Sequence, residues 1–95
     1  MSAYVIVEIE ITDPVQYEEC KKLAAPIVAD HGGRFLVRGG KAEILEGEWA
    51  PGRLIVLEFP TVERAKEWWN SYAYRPVKRL RHAAANSRMI VVEGA

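Results

Sequence analysis

The chain has 95 residues, 49% of them hydrophobic, with one cysteine and a formal net charge of zero from 13 basic and 13 acidic residues. That length suits a single domain spanning residues 1–95, and the neutral balance excludes a general polyanion binder, which needs a basic footprint to displace counterions. A lone cysteine, Cys20, excludes an internal disulfide framework, and no apolar run approaches the roughly 18–20 residues of a membrane span. The amino-terminal run "MSAYVIVEIEI" lacks a basic region and carries Glu8 and Glu10, unlike a secretory signal. A soluble, cytoplasmic protein with no membrane or nucleic-acid partner is expected.

In chain order, Val5, Val7, Ile9 and Ile11 alternate with Tyr4, Ile6, Glu8 and Glu10, the period of a strand over Ala3 to Ile11. Asp13-Pro14 opens a helix, with the aspartate as N-cap and proline in the first turn. Tyr17, Cys20, Ala24, Ile27 and Val28 recur at helical spacing, Pro26 is expected to kink the helix, and Gly32-Gly33 ends it. Arg34 to Arg38 predicts a second strand, Gly39-Gly40 a tight turn, and Lys41 to Glu46 the returning strand of a hairpin. A loop, "GEWAPG", leads to an apolar strand over Arg53 to Phe59. Thr61 N-caps a helix running through Trp69, Ser71 caps another running to about Ala85, and Arg88 to Glu93 predicts the last strand. With four of these five strands taken as the sheet, the order is read as β-α-β-β-α-α-β, an α+β, ferredoxin-like domain with an antiparallel sheet and its helices on one face.

The other sheet face is expected to mix aliphatic and charged residues, as Tyr4, Ile6 and Glu8 do. A half-aliphatic face is costly to leave in water, so two sheets stacked across a two-fold axis, a homodimer, are expected.

Several runs resemble a known family: "YVIVEIEITDPVQYEEC", "GGRFLVRGG", "RLIVLEF", "RAKEWWNSYAYRPVKRLR" and "SRMIVVEG". In order and spacing they are similar to the bacterial domain-of-unknown-function family thirteen-thirty, of the dimeric α+β barrel superfamily, over almost the whole chain. The resemblance implies a ferredoxin-like fold and a barrel formed by two subunits. It implies no reaction, because the wider superfamily includes cofactor-independent monooxygenases, isomerases, haem-handling enzymes and ligand-sensing regulatory domains.

The glycine pairs in "DHGGRFLVRGG" do not suit a phosphate loop. Such a loop joins a strand to a helix N-terminus, whereas Gly32-Gly33 follows a helix C-terminus and Gly39-Gly40 is expected between strands. A single "RGG" is equally weak support for RNA binding. Arg34 and Arg38 are expected on one strand face, either ion-paired with Glu8, Glu46 or Glu58 or, for Arg38, binding a substrate carboxylate or enolate. His31 at the end of the first helix is either a cap on free carbonyls or a proton-transfer group. His82, in "KRLRH", reads as part of a solvated basic face, and Cys20 as a small core residue.

Trp68, Trp69, Tyr72 and Tyr74 cluster near the junction of the last two helices, and adjacent tryptophans cannot share one face. One is therefore expected to line a cleft suited to a small aromatic or carboxylated compound, with Arg38, Arg53 or Arg81 nearby. The expected site combines His31 and Arg38 as catalytic groups with Arg38, Arg53, Trp69, Tyr74 and Arg81 as ligand contacts, without metal or cofactor. The expected function is that of a homodimeric small-molecule-binding protein, first as a cofactor-independent enzyme acting on a small organic acid or enol. The alternative is a non-catalytic ligand-binding or assembly module. A cleft containing His31 with a shifted pKa, or an arginine without a carboxylate partner, favours the enzyme; a cleft filled by Trp69 and Tyr74, with every arginine paired, favours the module.

Overall fold

A computed structural model describes all of residues 1–95. Strand β1 (Ala3–Ile11) is followed by α1 (Pro14–Asp30), β2 (Arg34–Arg38), β3 (Arg53–Phe59), α2 (Val62–Asn70), α3 (Tyr74–Ala84) and β4 (Ala85–Glu93). The four strands form one antiparallel sheet in the order β2-β3-β1-β4, the ferredoxin-like arrangement.

Local chemistry sets the element ends. Asp13 Oδ1 accepts from the Gln16 amide at 3.2 Å, and Pro14, which has no amide hydrogen to leave unpaired, occupies the first turn of α1. Pro26 sits on the exposed side of a helix that continues past it to Asp30. The helix then stops because Gly32 takes a positive φ of 78°, letting the Gly32 and Gly33 amides close on the Ala29 and Val28 carbonyls. Thr61 Oγ1 caps α2 by accepting from the Arg64 amide. Ser71 Oγ accepts from the Tyr74 amide at the start of α3 and donates to the Trp68 carbonyl at the end of α2, joining the two helices in a tight corner.

Two expectations need correction. Lys41 to Glu46 forms no strand; the whole connection from Gly39 to Gly52 lacks helix and strand. The partner of β2 is instead β3, with Arg34 opposite Glu58 and Arg38 opposite Ile55. The physical reason lies in the apolar pattern: Ile55, Leu57 and Phe59 alternate and bury one face, whereas in "KAEILE" the apolar Ile44 and Leu45 are adjacent and both remain exposed. The last strand also starts three residues earlier than Arg88, at Ala85, directly after α3. The Thr12 and Asp13 amides reach back to the Ala84 carbonyl at that junction.

The core lies between the sheet and the helices. From the sheet come Val5, Val7, Ile9, Ile55, Leu57 and Phe59; from the helices come Tyr17, Cys20, Val28, Trp68, Tyr74 and Val77. Trp68 is its centre, with the Phe59 ring 5.3 Å and the Tyr74 ring 4.5 Å from it between centroids. The Cα envelope measures 36 × 35 × 16 Å, the thickness of two layers, so nothing covers the second sheet face. That face carries Ile6, Val37, Ile90 and Val92 as an exposed aliphatic strip. Arg34–Glu58 and Arg88–Glu8, each a directly opposed cross-strand ion pair, flank it.

The two glycine pairs differ in their surroundings, and substitution checks this. A Cβ on Gly33 would lie 2.5 Å from the Phe59 ring and 2.9 Å from Val28 Cγ1, whereas one on Gly40 would meet nothing within 4 Å. Urea denaturation should therefore show Gly33→Ala losing about 1–3 kcal/mol of stability, with Gly40→Ala within about 0.5 kcal/mol of the parent.

Candidate functional site

The sheet sorts its charges by face, and an irregularity in β2 decides the sorting. Phe35 stands opposite Leu57 but Val37 stands opposite Val56, so Leu36 is an extra residue, a β-bulge. A bulge reverses the side-chain phase beyond it. Arg34 and Arg38, expected on one face, consequently lie on opposite faces: Arg34 pairs with Glu58 on the uncovered side, and Arg38 turns toward the helices. There its guanidinium stacks 4.3 Å above the Phe35 ring and Nη2 donates to the Lys21 carbonyl of α1 at 3.4 Å.

Arg53 joins it from β3, in phase with the buried Ile55 and Leu57. Its guanidinium carbon lies 5.8 Å from the centre of the Tyr17 ring, and Nη2 donates to the Arg38 carbonyl at 3.2 Å. Gly39 lies against the same guanidinium, since a Cβ there would fall 2.3 Å from it. Arg81 comes from α3, on the buried stripe of Tyr74, Val77 and Ala84, and is only 6% exposed. Nη1 donates to the Tyr74 hydroxyl at 2.5 Å and Nη2 to Nε2 of His82 at 3.3 Å. The ion pairs of the molecule are Lys21–Glu18, Arg34–Glu58, Arg64–Glu67 and Arg88–Glu8. Arg38, Arg53 and Arg81 thus all lie on the helix side without a carboxylate.

Two spaces meet at Arg81. A small inner pocket of about 60 Å³ lies between α1, α3 and the sheet, walled by Tyr17, Cys20, Arg38, Phe35 and Tyr74. A larger cleft of about 380 Å³ opens between α2, the end of α3 and β4, beside Lys66, Trp69, Asn70, His82, Ser87 and Ile90. Trp68, Met89 and Arg81 line both. On this shared wall the indole Nε1 of Trp68 and the Nε of Arg81 are buried and meet no protein acceptor; the Nε of Arg53 is in the same position. Buried donors without acceptors are uncommon and costly, and here two belong to residues that line a ligand-sized cleft.

Burial shifts the surrounding titratable groups toward their uncharged forms. Burial pushes the Tyr74 hydroxyl up to about 12, against the opposing pull of Arg81, so the phenol remains a hydrogen-bonding group rather than a phenolate. Burial also raises Tyr17, against Arg53, and raises the Cys20 thiol, against Arg81. Cys20 Sγ lies 3.8 Å from the Val77 carbonyl, the setting of a core thiol. Burial, with the charges of Arg81 and Arg75, lowers Lys78, whose Nζ lies 3.4 Å above the Trp69 ring and donates to the Trp69 carbonyl.

Of the residues singled out in the sequence, Arg38, Arg53, Tyr74 and Arg81 therefore gather on the helix side of the sheet, and Trp69 lines the cleft beside them. His31 lines neither space; its Nδ1 lies 2.9 Å from the Ile27 carbonyl at the end of α1, in a helix-capping position. Trp68, Tyr17 and His82 also line the site. Trp68 shares its helix face with buried Ala65, three residues earlier, a spacing that identifies it as the inward member of the tryptophan pair. No group of three or more histidine, cysteine, aspartate or glutamate side chains comes together in metal-binding geometry.

Solved structures with this fold include the RPA0582 protein of unknown function from Rhodopseudomonas palustris. It superposes with a TM-score of 0.81 at 18% identity, over 99% of this chain and 82% of that one. SnoaB, a cofactor-independent oxygenase from Streptomyces nogalater, matches with a TM-score of 0.70 at 11% identity, over 99% and 93% of the two chains. A dimeric ferredoxin-like protein of unknown function from Jannaschia sp. CCS1 matches with a TM-score of 0.67 at 11% identity, over 99% and 100%. At these identities the likeness is one of fold. No curated protein matches the sequence. Residues 2–95 do match one family model, Domain of unknown function (DUF1330), and the chain belongs to that family.

Proposed function

We propose that the protein is a homodimer in which each subunit's helix–sheet cleft binds a small organic anion, a carboxylate or an enolate. The observation that carries this reading is the Arg81 guanidinium, buried without a carboxylate beside the unpaired indole donor of Trp68. An arginine stays charged at any physiological pH, so its burial without a counter-ion favours an anion from outside the chain. The first reading of the activity is cofactor-independent chemistry on that acid or enol. It is supported by unpaired donors on two cleft-lining residues, Arg81 and Trp68, and by the shared fold of SnoaB, a cofactor-independent oxygenase. Arg38 and Arg53 would add positive potential on the far side of Arg81. The module reading is less well supported, because it expects every arginine paired and a cleft filled by Trp69 and Tyr74. Tyr74 is instead packed in the core and Trp69 remains 41% exposed beside about 380 Å³ of open cleft.

The homodimer rests on the uncovered aliphatic strip. Its supports are the dimeric state of the Jannaschia sp. CCS1 protein and the cost of leaving Ile6, Ile90 and Val92 in water on a flat sheet.

Two measurements test the reading. Benzoate at ten times its Kd should raise Tm by about 5–10 °C, while the uncharged isostere benzamide should leave it unchanged and Arg81→Gln should abolish the response. Equal shifts with both compounds would contradict an anion site. Light scattering at micromolar concentration should give twice the 10.7 kDa chain mass, and Ile6→Lys, which puts a charge on the inner strand of the strip between Val56 and Ile90, should give the single-chain mass; a monomeric parent protein would contradict the dimer.

A further inference from the structure

We propose that the connection between β2 and β3 of one copy closes the helix–sheet cleft of the other, so that each ligand site is built from two subunits. Ile44 and Leu45 of the connection supply the missing outer wall. The proposal rests on the dimer and anion-site readings above and adds to them the partner's share of the site.

The connection, residues 39–52, has neither helix nor strand, yet Ile44, Leu45 and Trp49 on it are large and exposed. Leu45 is 99% exposed, so nothing in its own chain holds it. Grouped apolar side chains left in water mark a contact surface. The two ends of the connection are fixed. The Gly39 amide donates to the Leu54 carbonyl, and the Trp49 indole and Gly52 amide both donate to Glu8 on the uncovered sheet face. Both ends thus lie where β4 begins, since Leu54 and Arg88 flank Glu8 and Ser87 stands opposite Ile9.

The cleft opens at that same part of the molecule. Strand β4 is an edge strand, and the cleft runs along it from Ser87 to Val91. Ile90, 60% exposed, lines the cleft and also belongs to the aliphatic strip, so cleft and dimer face are continuous. A two-fold parallel to the strands lays β2 of one copy over β4 of the other and keeps each residue at its own height. The row Val37, Val56, Ile6 and Ile90, one residue from each strand, then meets its own copy. The partner's connection emerges at the Ser87 end of β4, beside the cleft. The stretch from Gly39 to Leu45 reaches up to about 20 Å, and facing sheets lie about 10 Å apart, so the partner's Leu45 spans the gap.

Charge favours this arrangement over a two-fold across the strands, which would set the connection near an Arg34 already paired with Glu58. The connection carries Glu43, Glu46 and Glu48 against Lys41, and none of the three glutamates forms an ion pair in its own chain. The cleft has the opposite sign: Lys66, Arg81 and His82 line it, and no carboxylate does. Lys66 is exposed and free of any ion pair, the rim cation that suits those glutamates. Ile44 and Leu45 then cover Trp69 and Ile90, the exposed apolar groups of the same cleft. Arg81, buried behind that rim, stays available to a ligand.

Two measurements test the closure. The double variant Ile44→Ser/Leu45→Ser changes exposed side chains outside the core. By sedimentation equilibrium its dimer Kd should rise at least about tenfold, with an unchanged far-ultraviolet circular dichroism spectrum. An unchanged dimer Kd would overturn the closure and leave a sheet-face dimer standing, whereas a monomeric parent would overturn dimer and closure together. Calorimetry with benzoate, at concentrations where every chain is dimeric, then asks whose connection closes which cleft. The double variant should bind benzoate about tenfold more weakly than the parent. Mixed in equal amounts with folded Arg81→Gln and re-equilibrated, it should regain parent affinity in about a quarter of all subunits. Half of the dimers then pair an intact cleft with an intact connection from the other copy. No regained sites, or parent affinity in the double variant alone, would overturn the closure. Benzoate binding to no form would overturn the anion site, and the dimer Kd would still decide the closure.

Discussion

The guanidinium of Arg81 is the constraint around which the interior is arranged. It cannot relieve its burial by losing a proton, and it lies where no aspartate or glutamate reaches. A buried charge without its partner costs several kcal/mol, a large share of what a domain of 95 residues has to spare. The neighbouring groups soften that cost without removing it. The Tyr74 hydroxyl and His82 Nε2 accept two of its hydrogens, and Lys78 and His82 have lowered proton affinity beside it. Nε, like Nε1 of Trp68, is left without an acceptor. A fold selected only for stability would place an aliphatic side chain there.

The division of charge between the two sheet faces sharpens the point. Glu8 and Glu58 both project to the uncovered face, where each meets an arginine directly opposite and each has its acidity strengthened by that contact. Glu8 also receives the Gly52 amide and the Trp49 indole N–H, tying down the end of the long connection. The face toward the helices has arginines from β2, β3 and α3 and no acidic partner. A single inserted residue, Leu36, contributes to this asymmetry, because without the bulge Arg38 would emerge beside Arg34.

Much of this was legible in the sequence, and the parts that were not share a cause. Helix ends were legible because they depend on neighbours in the chain: Asp13 and Thr61 as caps, Pro14 in a first turn, Gly32 at a positive φ. The span of α3 was legible too, while its buried stripe of Tyr74, Val77, Arg81 and Ala84 emerges only in the fold. The choice of strand partner was not, because "KAEILE" and "RLIVLEF" both follow β2 and only the second alternates well enough to cover a core. The bulge was equally hidden, since it depends on register against β3 rather than on anything within "RFLVR". His82 was read as part of a solvated basic face. Its contact with Arg81 depends on where α3 ends against β4, a tertiary fact.

The central claim is that Arg81 is kept for a ligand at the expense of the fold. Urea denaturation of the double variant Tyr74→Phe/Arg81→Met, with no ligand present, addresses it most directly, because both partners of the internal hydrogen bond are replaced by apolar groups of similar shape. If the claim holds, the double variant is at least as stable as the parent, with a gain of up to about 1–4 kcal/mol. A loss of about 3 kcal/mol or more would mean that the guanidinium holds the core together, and would contradict the claim.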